Sequence, residues 1–179
     1  MQRRWTLTEN ELISISENEL VQKVIDSLLD YVGSIAPGED DYELVRQTPK
    51  PAQFFWGMRL MESEVSNGGF EQYFWNSSCT LADVALEAYQ TLGAETYTNL
   101  LQRALFVAGN SGWRNRRAQF NDDWREYKKA CSPELDELTE KFCATGRGSP
   151  ESGGEDTDLY GQKVEYIRQN AKAICGEKV

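Results

Sequence analysis

Apolar residues recur along this chain at the three- and four-residue spacing of α-helices. The clearest stripe predicts one face of a buried helix and consists of Phe54, Met58, Met61 and Val65. Similar stripes run from Leu20 to Val32, from about Ala94 to Val107 and from Tyr160 to Ile174. Since no stretch shows the alternation of a strand, the pattern predicts an all-α fold. We expect one compact domain over residues 1–179, with about seven or eight helices.

Weaker signals place the remaining elements. A stripe made of Phe120, Trp124, Tyr127 and Cys131 predicts one helix, and Thr80 is a candidate N-cap for another. The segment from Ile35 to Lys50 has a Pro-Gly turn and reads as a loop. Residues 144–156 are rich in Gly, Ser and Pro and predict a flexible surface loop.

The stretch from Glu64 to Asn76, EVSNGGFEQYFWN, combines a helix-ending signal with four aromatic residues. Asn67, Gly68 and Gly69 interrupt the preceding stripe, so we expect Gly68 or Gly69 to have positive φ. Phe70 and Phe74 then lie four residues apart and predict a second, shorter helix whose aromatic face is buried. Two interpretations stay open for the polar residues of this stretch, which are Glu64, Asn67, Gln72 and Asn76. In the first they line a polar pocket. In the second they belong to a buried corner in which the amides satisfy orphan backbone groups.

Composition limits the possible chemistry. The net charge of −10 disfavours direct contact with nucleic acid or an anionic membrane and favours basic partners. The chain has no histidine, which removes the commonest general base, and its four cysteines are scattered without a C-x-x-C spacing. We therefore expect reduced thiols, no metal and no cofactor. The N-terminal residues lack a signal-peptide pattern and no long apolar run occurs, so the predicted location is cytoplasmic.

Charge is unevenly distributed along the chain. Residues 61–102 hold six acidic residues and no base, which predicts carboxylates without local neutralisation. Residues 103–129 are instead basic, with tryptophans among Arg114, Arg116, Arg117, Arg125, Lys128 and Lys129. Bases beside aromatics can bind single-stranded nucleic acid. Because the whole molecule repels phosphates, pairing of this patch with an acidic face of the same or a second molecule is the better interpretation.

The segment ESEVSNGGFEQYFWNSS, with the helix-forming residues after it, resembles the bacterial DNA-mimic protein family. The resemblance covers about Phe54 to Leu105. The positions that fit its signature are Asn67, Gly68, Gly69, Phe70, Gln72, Tyr73, Phe74 and Asn76. Cys79 departs from the signature, where a glycine is expected. The resemblance implies an acidic helical protein that binds the DNA-binding surface of a transcription factor, and it implies a homodimer.

Three functions are compatible with these observations. The first is a non-enzymatic, DNA-mimic-like inhibitor that binds a DNA-binding protein, in particular a helix-turn-helix transcriptional regulator, and blocks its DNA-binding surface. The second is an enzyme of unknown reaction with a pocket near Glu64, Asn67, Gln72 and Asn76, and the third is a helical adaptor or immunity-type protein. For the first, the candidate partner-binding carboxylates are Glu17, Asp26, Asp30, Glu39, Asp40, Asp41, Glu62, Glu64, Glu71, Asp83, Glu87 and Glu95.

Overall fold

The computed structural model describes residues 5–33, 41–109, 112–146 and 158–176, and within these ranges every regular element is helical. The all-α prediction is therefore confirmed for the described residues. In chain order the elements are α1 Glu9–Ser14, α2 Glu17–Val32, α3 Asp41–Val45, α4 Lys50–Trp75, a 3₁₀ turn Ser77–Leu81, α5 Ala82–Leu92, α6 Glu95–Ala108, α7 Trp113–Gln119, α8 Trp124–Ala130, α9 Pro133–Gly146 and α10 Leu159–Ile174.

Helix α4 is the element around which the others pack. It contacts α2, α5, α6, α7, α9 and α10. The predicted stripe is confirmed, because the exposed fraction of Phe54, Met58, Met61 and Val65 is 4% or less. Neighbouring positions Phe55 and Trp56 are also buried, so α4 is enclosed on more than one face. Helix α5 crosses so closely at Gly57 that a Cβ there would lie 3.0 Å from the backbone nitrogen of Ala85.

The element boundaries correct several predictions. A short helix, α3, lies inside the predicted loop from Ile35 to Lys50. Thr80 lies within the 3₁₀ turn and does not cap α5, whose N-cap is Leu81. Helix α9 extends to Gly146, so the start of the predicted loop 144–156 is helical and the rest falls outside the described residues.

The stripe from Phe120 to Cys131 does not form one helix. It is divided between α7 and α8 by a turn in which Asn121 and Asp122 have φ of 50° and 59°. Asn and Asp tolerate this left-handed region better than other side chains do, and the turn ends α7. Asp123 then caps α8 by accepting the backbone N–H groups of Arg125 and Glu126.

Candidate functional site

The corner inside α4 is built by two consecutive glycines. Gly68 has φ −155° and Gly69 has φ 83° with ψ 177°, which breaks the helical path without ending the element. The expected positive φ is therefore at Gly69, in a region that glycine alone adopts readily. Phe70 and Phe74, which follow, are 0% and 2% exposed, as expected. The corner lets the second half of α4 turn its aromatic face into the core.

Helix α9 fits directly against this corner. The hydroxyl of Thr139 accepts the backbone N–H of Phe70 at 3.0 Å and donates to the carbonyl of Leu135 at 2.8 Å. A Cβ on Gly69 would lie 3.1 Å from the same hydroxyl oxygen and 2.7 Å from Oε2 of Glu71. Thr139 thus pairs the backbone N–H that the break in α4 leaves without a helical acceptor. The sequence did not predict this hydrogen bond between Phe70 and Thr139, because the two residues lie 69 positions apart in the chain.

The polar residues of the signature form a carboxylate-centred cluster. Oε2 of Glu64 accepts from Nε2 of Gln72 at 2.7 Å and from Nδ2 of Asn76 at 2.9 Å. Oε1 of Glu64 accepts from the hydroxyl of Ser78 at 3.2 Å, a residue that the sequence analysis missed. Asn67 is exposed and is not part of the cluster. The amides therefore bind a side-chain carboxylate instead of orphan backbone groups, which corrects the second interpretation of this corner.

Most acidic side chains of residues 61–102 are engaged within the molecule. Glu62 pairs with Lys163 at 2.7 Å and accepts from the hydroxyl of Tyr89 at 3.0 Å. Bases from outside the segment also neutralise Asp83, which pairs with Arg46 at 3.1 Å, and Glu87, which pairs with Lys50 at 2.6 Å. The prediction of carboxylates without local neutralisation is wrong for these three, because their partners are distant in sequence.

Glu71 is buried and is not a surface carboxylate. It is 2% exposed, and burial raises the pKa of its carboxyl above the usual range, with the neighbouring Asp136 carboxyl raising it further. A partner protein cannot reach this side chain in the folded state. Glu71 is therefore excluded as a partner-binding residue.

The model of one family, described as DMP19-like protein, matches residues 46–170, which include the α4 corner, the Glu64 cluster and α9. This chain belongs to the DMP19-like protein family. The finding corrects the assignment to the bacterial DNA-mimic protein family, since the matching model carries a different description. No curated protein and no solved structure matches the chain.

The DMP19-like match leaves α1, α2 and α3 outside its limits, and α2 carries four exposed acidic residues. Glu17, Glu19, Asp26 and Asp30 are exposed, and within the described ranges none of them pairs with a Lys or Arg. The base on this helix, Lys23, is held by Glu11 at 2.7 Å. Glu19 was not among the predicted carboxylates.

The other predicted carboxylates of this DMP19-like chain lie apart from that row. Glu95 is exposed at the start of α6, and Asp41 is partly buried at the start of α3. Glu39 and Asp40 fall outside the described residues. The twelve predicted carboxylates therefore do not form one surface.

The basic patch forms a cluster of cations on aromatic rings. Arg117 lies over the rings of Trp75 and Trp113, Arg114 over Trp113, and Lys128 over Trp124. Because arginines cover these ring faces, stacking of nucleic-acid bases on them is disfavoured. Arg116, which the sequence analysis placed in the basic patch, is buried at 5% exposure.

Within the described ranges, no helix is both long and apolar enough to cross a bilayer. The same residues contain no cluster of three or more Cys, Asp or Glu side chains placed to hold a metal ion.

Proposed function

We propose that this protein is a non-enzymatic inhibitor whose α2 surface binds the basic, DNA-contacting face of a DNA-binding protein. A helix-turn-helix transcriptional regulator is the specific partner class, and the cytoplasm is the proposed location. The observation that carries the proposal is the row of exposed acidic residues on α2. In the described ranges these carboxylates face solvent without a Lys or Arg partner, whereas Glu62, Asp83 and Glu87 are paired and Glu71 is buried.

The spacing of the acidic side chains on α2 suits binding to a partner's surface that otherwise contacts DNA phosphates. Glu19, Asp26 and Asp30 fall at i, i+7 and i+11, which places them on one face of the helix. With a rise of 1.5 Å per residue, Asp26 and Asp30 lie about 6 Å apart along the axis, and Glu19 and Asp26 about 10.5 Å. The helix holds these charges at fixed spacing, so a partner's Lys and Arg meet them without ordering a loop first.

An apolar contact is available beside the charges. Leu29, which is 38% exposed, directly precedes Asp30 on α2. Interfaces combine such apolar contacts with a charged rim. Electrostatic attraction guides the encounter, and the apolar contacts slow dissociation. A homodimer is part of this proposal and stays a prediction.

The experiment pairs affinity capture from the native host with a matched charge reversal. A captured DNA-binding protein is titrated with labelled DNA by fluorescence anisotropy, with and without this protein. Asp26→Lys with Asp30→Lys should weaken the complex about tenfold, or roughly 1.4 kcal/mol, because two attractions become repulsions. The affinity of the unaltered protein should also fall as salt rises.

The control is Glu137→Lys with Glu140→Lys, which changes the net charge by the same amount on exposed positions of α9. It should keep affinity close to that of the unaltered protein. If both pairs weaken binding equally, only net charge matters and the α2 surface is not the interface. The proposal would also be contradicted if a captured regulator still bound DNA when this protein was present in excess.

A further inference from the structure

Arg116 is a buried cation without a carboxylate partner in the described part of the chain. It is 5% exposed, and no Asp or Glu described in the structure lies within ion-pair distance. Its Nη1 donates to the carbonyl of Phe74, and its guanidinium lies over the Phe74 ring at 5.4 Å. The adjacent Arg117 differs, since it is more exposed and pairs with Asp122 at 3.4 Å.

A cavity of about 370 Å³ opens beside this guanidinium. Phe74 and Leu105 give it an apolar lining, Phe106 lies at its open rim with 74% of its surface exposed, and Cys79 and Arg116 contribute polar groups. This volume and this mixture of an apolar lining with few polar groups are typical of small-molecule sites. A guanidinium carries five N–H donors, and a hydrogen-bonded anion offsets the cost of burying a cation when the geometry is good. The cavity therefore offers both parts of a site for an anion attached to an apolar group.

We propose that this cavity binds a small organic carboxylate, whose anionic group contacts Arg116 and whose apolar group contacts Phe74, Leu105 and Phe106. The planar guanidinium matches the two oxygens of a carboxylate. A carboxylate carries one charge on an otherwise apolar molecule, so it loses less hydration in this lining than inorganic phosphate does. The proposal does not depend on the α2 interface.

Sodium benzoate is the probe, and benzyl alcohol is the uncharged control of similar shape. Binding is measured by ligand-observed NMR titration at constant ionic strength. For so small a ligand we expect a Kd on the order of 1 mM. Arg116→Gln should weaken benzoate binding at least about tenfold. The matched variant Arg117→Gln should leave it unchanged, because Arg117 does not line the cavity.

A second measurement uses the unaltered protein, so that it decides the question even if Arg116→Gln fails to fold. Cys79 and Cys143 are both free and partly buried, but only Cys79 lines the cavity. At benzoate tenfold above its Kd, alkylation of Cys79 should slow about tenfold by mass action, while Cys143 reacts as before. The rates are followed by mass spectrometry at alkaline pH, because burial raises the pKa of the Cys79 thiol.

Three results would overturn the proposal. Benzyl alcohol or inorganic phosphate could protect Cys79 as well as benzoate does, which would remove the recognition of an organic carboxylate. Benzoate could protect Cys143 equally, which would remove the site. Finally, a folded Arg116→Gln variant that binds benzoate like the unaltered protein would remove the role of the guanidinium.

Discussion

Replacing Gly69 by alanine tests whether the corner of α4 requires glycine for its backbone or for its contact with α9. Gly69 has φ 83° and ψ 177°, and a side chain held in this region costs about 1–3 kcal/mol. The new Cβ would also lie 2.7 Å from Oε2 of Glu71 and 3.1 Å from Oγ1 of Thr139. Forcing an atom into so close a space costs a further 1–3 kcal/mol or so.

Gly109 is the matched control. It has almost the same backbone angles, φ 74° and ψ 172°, but a Cβ there would meet nothing within 4 Å. Gly109→Ala should therefore lower the free energy of unfolding by about 2 kcal/mol, and Gly69→Ala by about 4 kcal/mol. For a chain of this size the corresponding falls in Tm are roughly 4–8 °C and 8–16 °C.

The assay is urea unfolding followed by circular dichroism, with the slope compared among the proteins so that a changed denatured state is detected. A double variant adds Thr139→Ala to Gly69→Ala. It should cost less than the sum of the single changes, because removing the Thr139 hydroxyl also removes one of the two close contacts of the new Cβ, while the contact with Glu71 stays. Equal losses for Gly69→Ala and Gly109→Ala would show that the α9 contact contributes nothing and would refute the steric argument.

Two further predictions concern the acidic groups of this region. Glu64→Ala should lower the free energy of unfolding by about 2 kcal/mol because three donors lose their acceptor, while Asn67→Ala, at an exposed position, should change it by less than about 0.5 kcal/mol in the same urea assay. Burial raises the pKa of the Glu71 carboxyl in the folded state above its value in the unfolded chain. Between these two pKa values the folded state holds a proton that the unfolded chain has lost. The free energy of unfolding therefore falls as pH rises through this window. Glu71→Gln should remove this loss, so its stability relative to the unaltered protein should increase with pH across that window; parallel curves for the two proteins would contradict the burial argument.

The sequence predicted those features that a residue's own type and spacing determine. Burial of Phe54, Met58, Met61 and Val65 followed from helical period, since apolar residues at that spacing share one face. The unusual backbone at Gly69 followed from the freedom of glycine to adopt positive φ. Both arguments are local, and tertiary packing agreed with them. The Asn121–Asp122 turn shows the limit of such arguments. Phe120 and Trp124 have the four-residue spacing of one helix, but this turn lies between them and separates α7 from α8.

Partners that meet only in the folded chain could not be predicted in the same way. Lys163 lies 101 residues from Glu62, and Arg46 lies 37 residues from Asp83. A count of charges along a segment therefore overestimates the field of that segment, because it omits bases contributed by other helices. The burial of Arg116 was missed for a related reason. Arginine is mostly exposed in proteins, and only the packing of α7 on the end of α4 shows that this one is not.

The acidic and basic segments do meet in the structure, but through a helix end. Arg116 donates to the carbonyl of Phe74 and Arg117 donates to that of Trp75 at 3.3 Å, at the C-terminus of α4. Cations there satisfy carbonyls that lack helical partners and oppose the negative end of the helix dipole. Salt screens buried interactions much less than exposed ones. Moderate salt should thus weaken contacts made by the exposed α2 row while the Arg116 contact holds, so a loss of partner binding in a salt titration reports on the surface and not on unfolding of the corner.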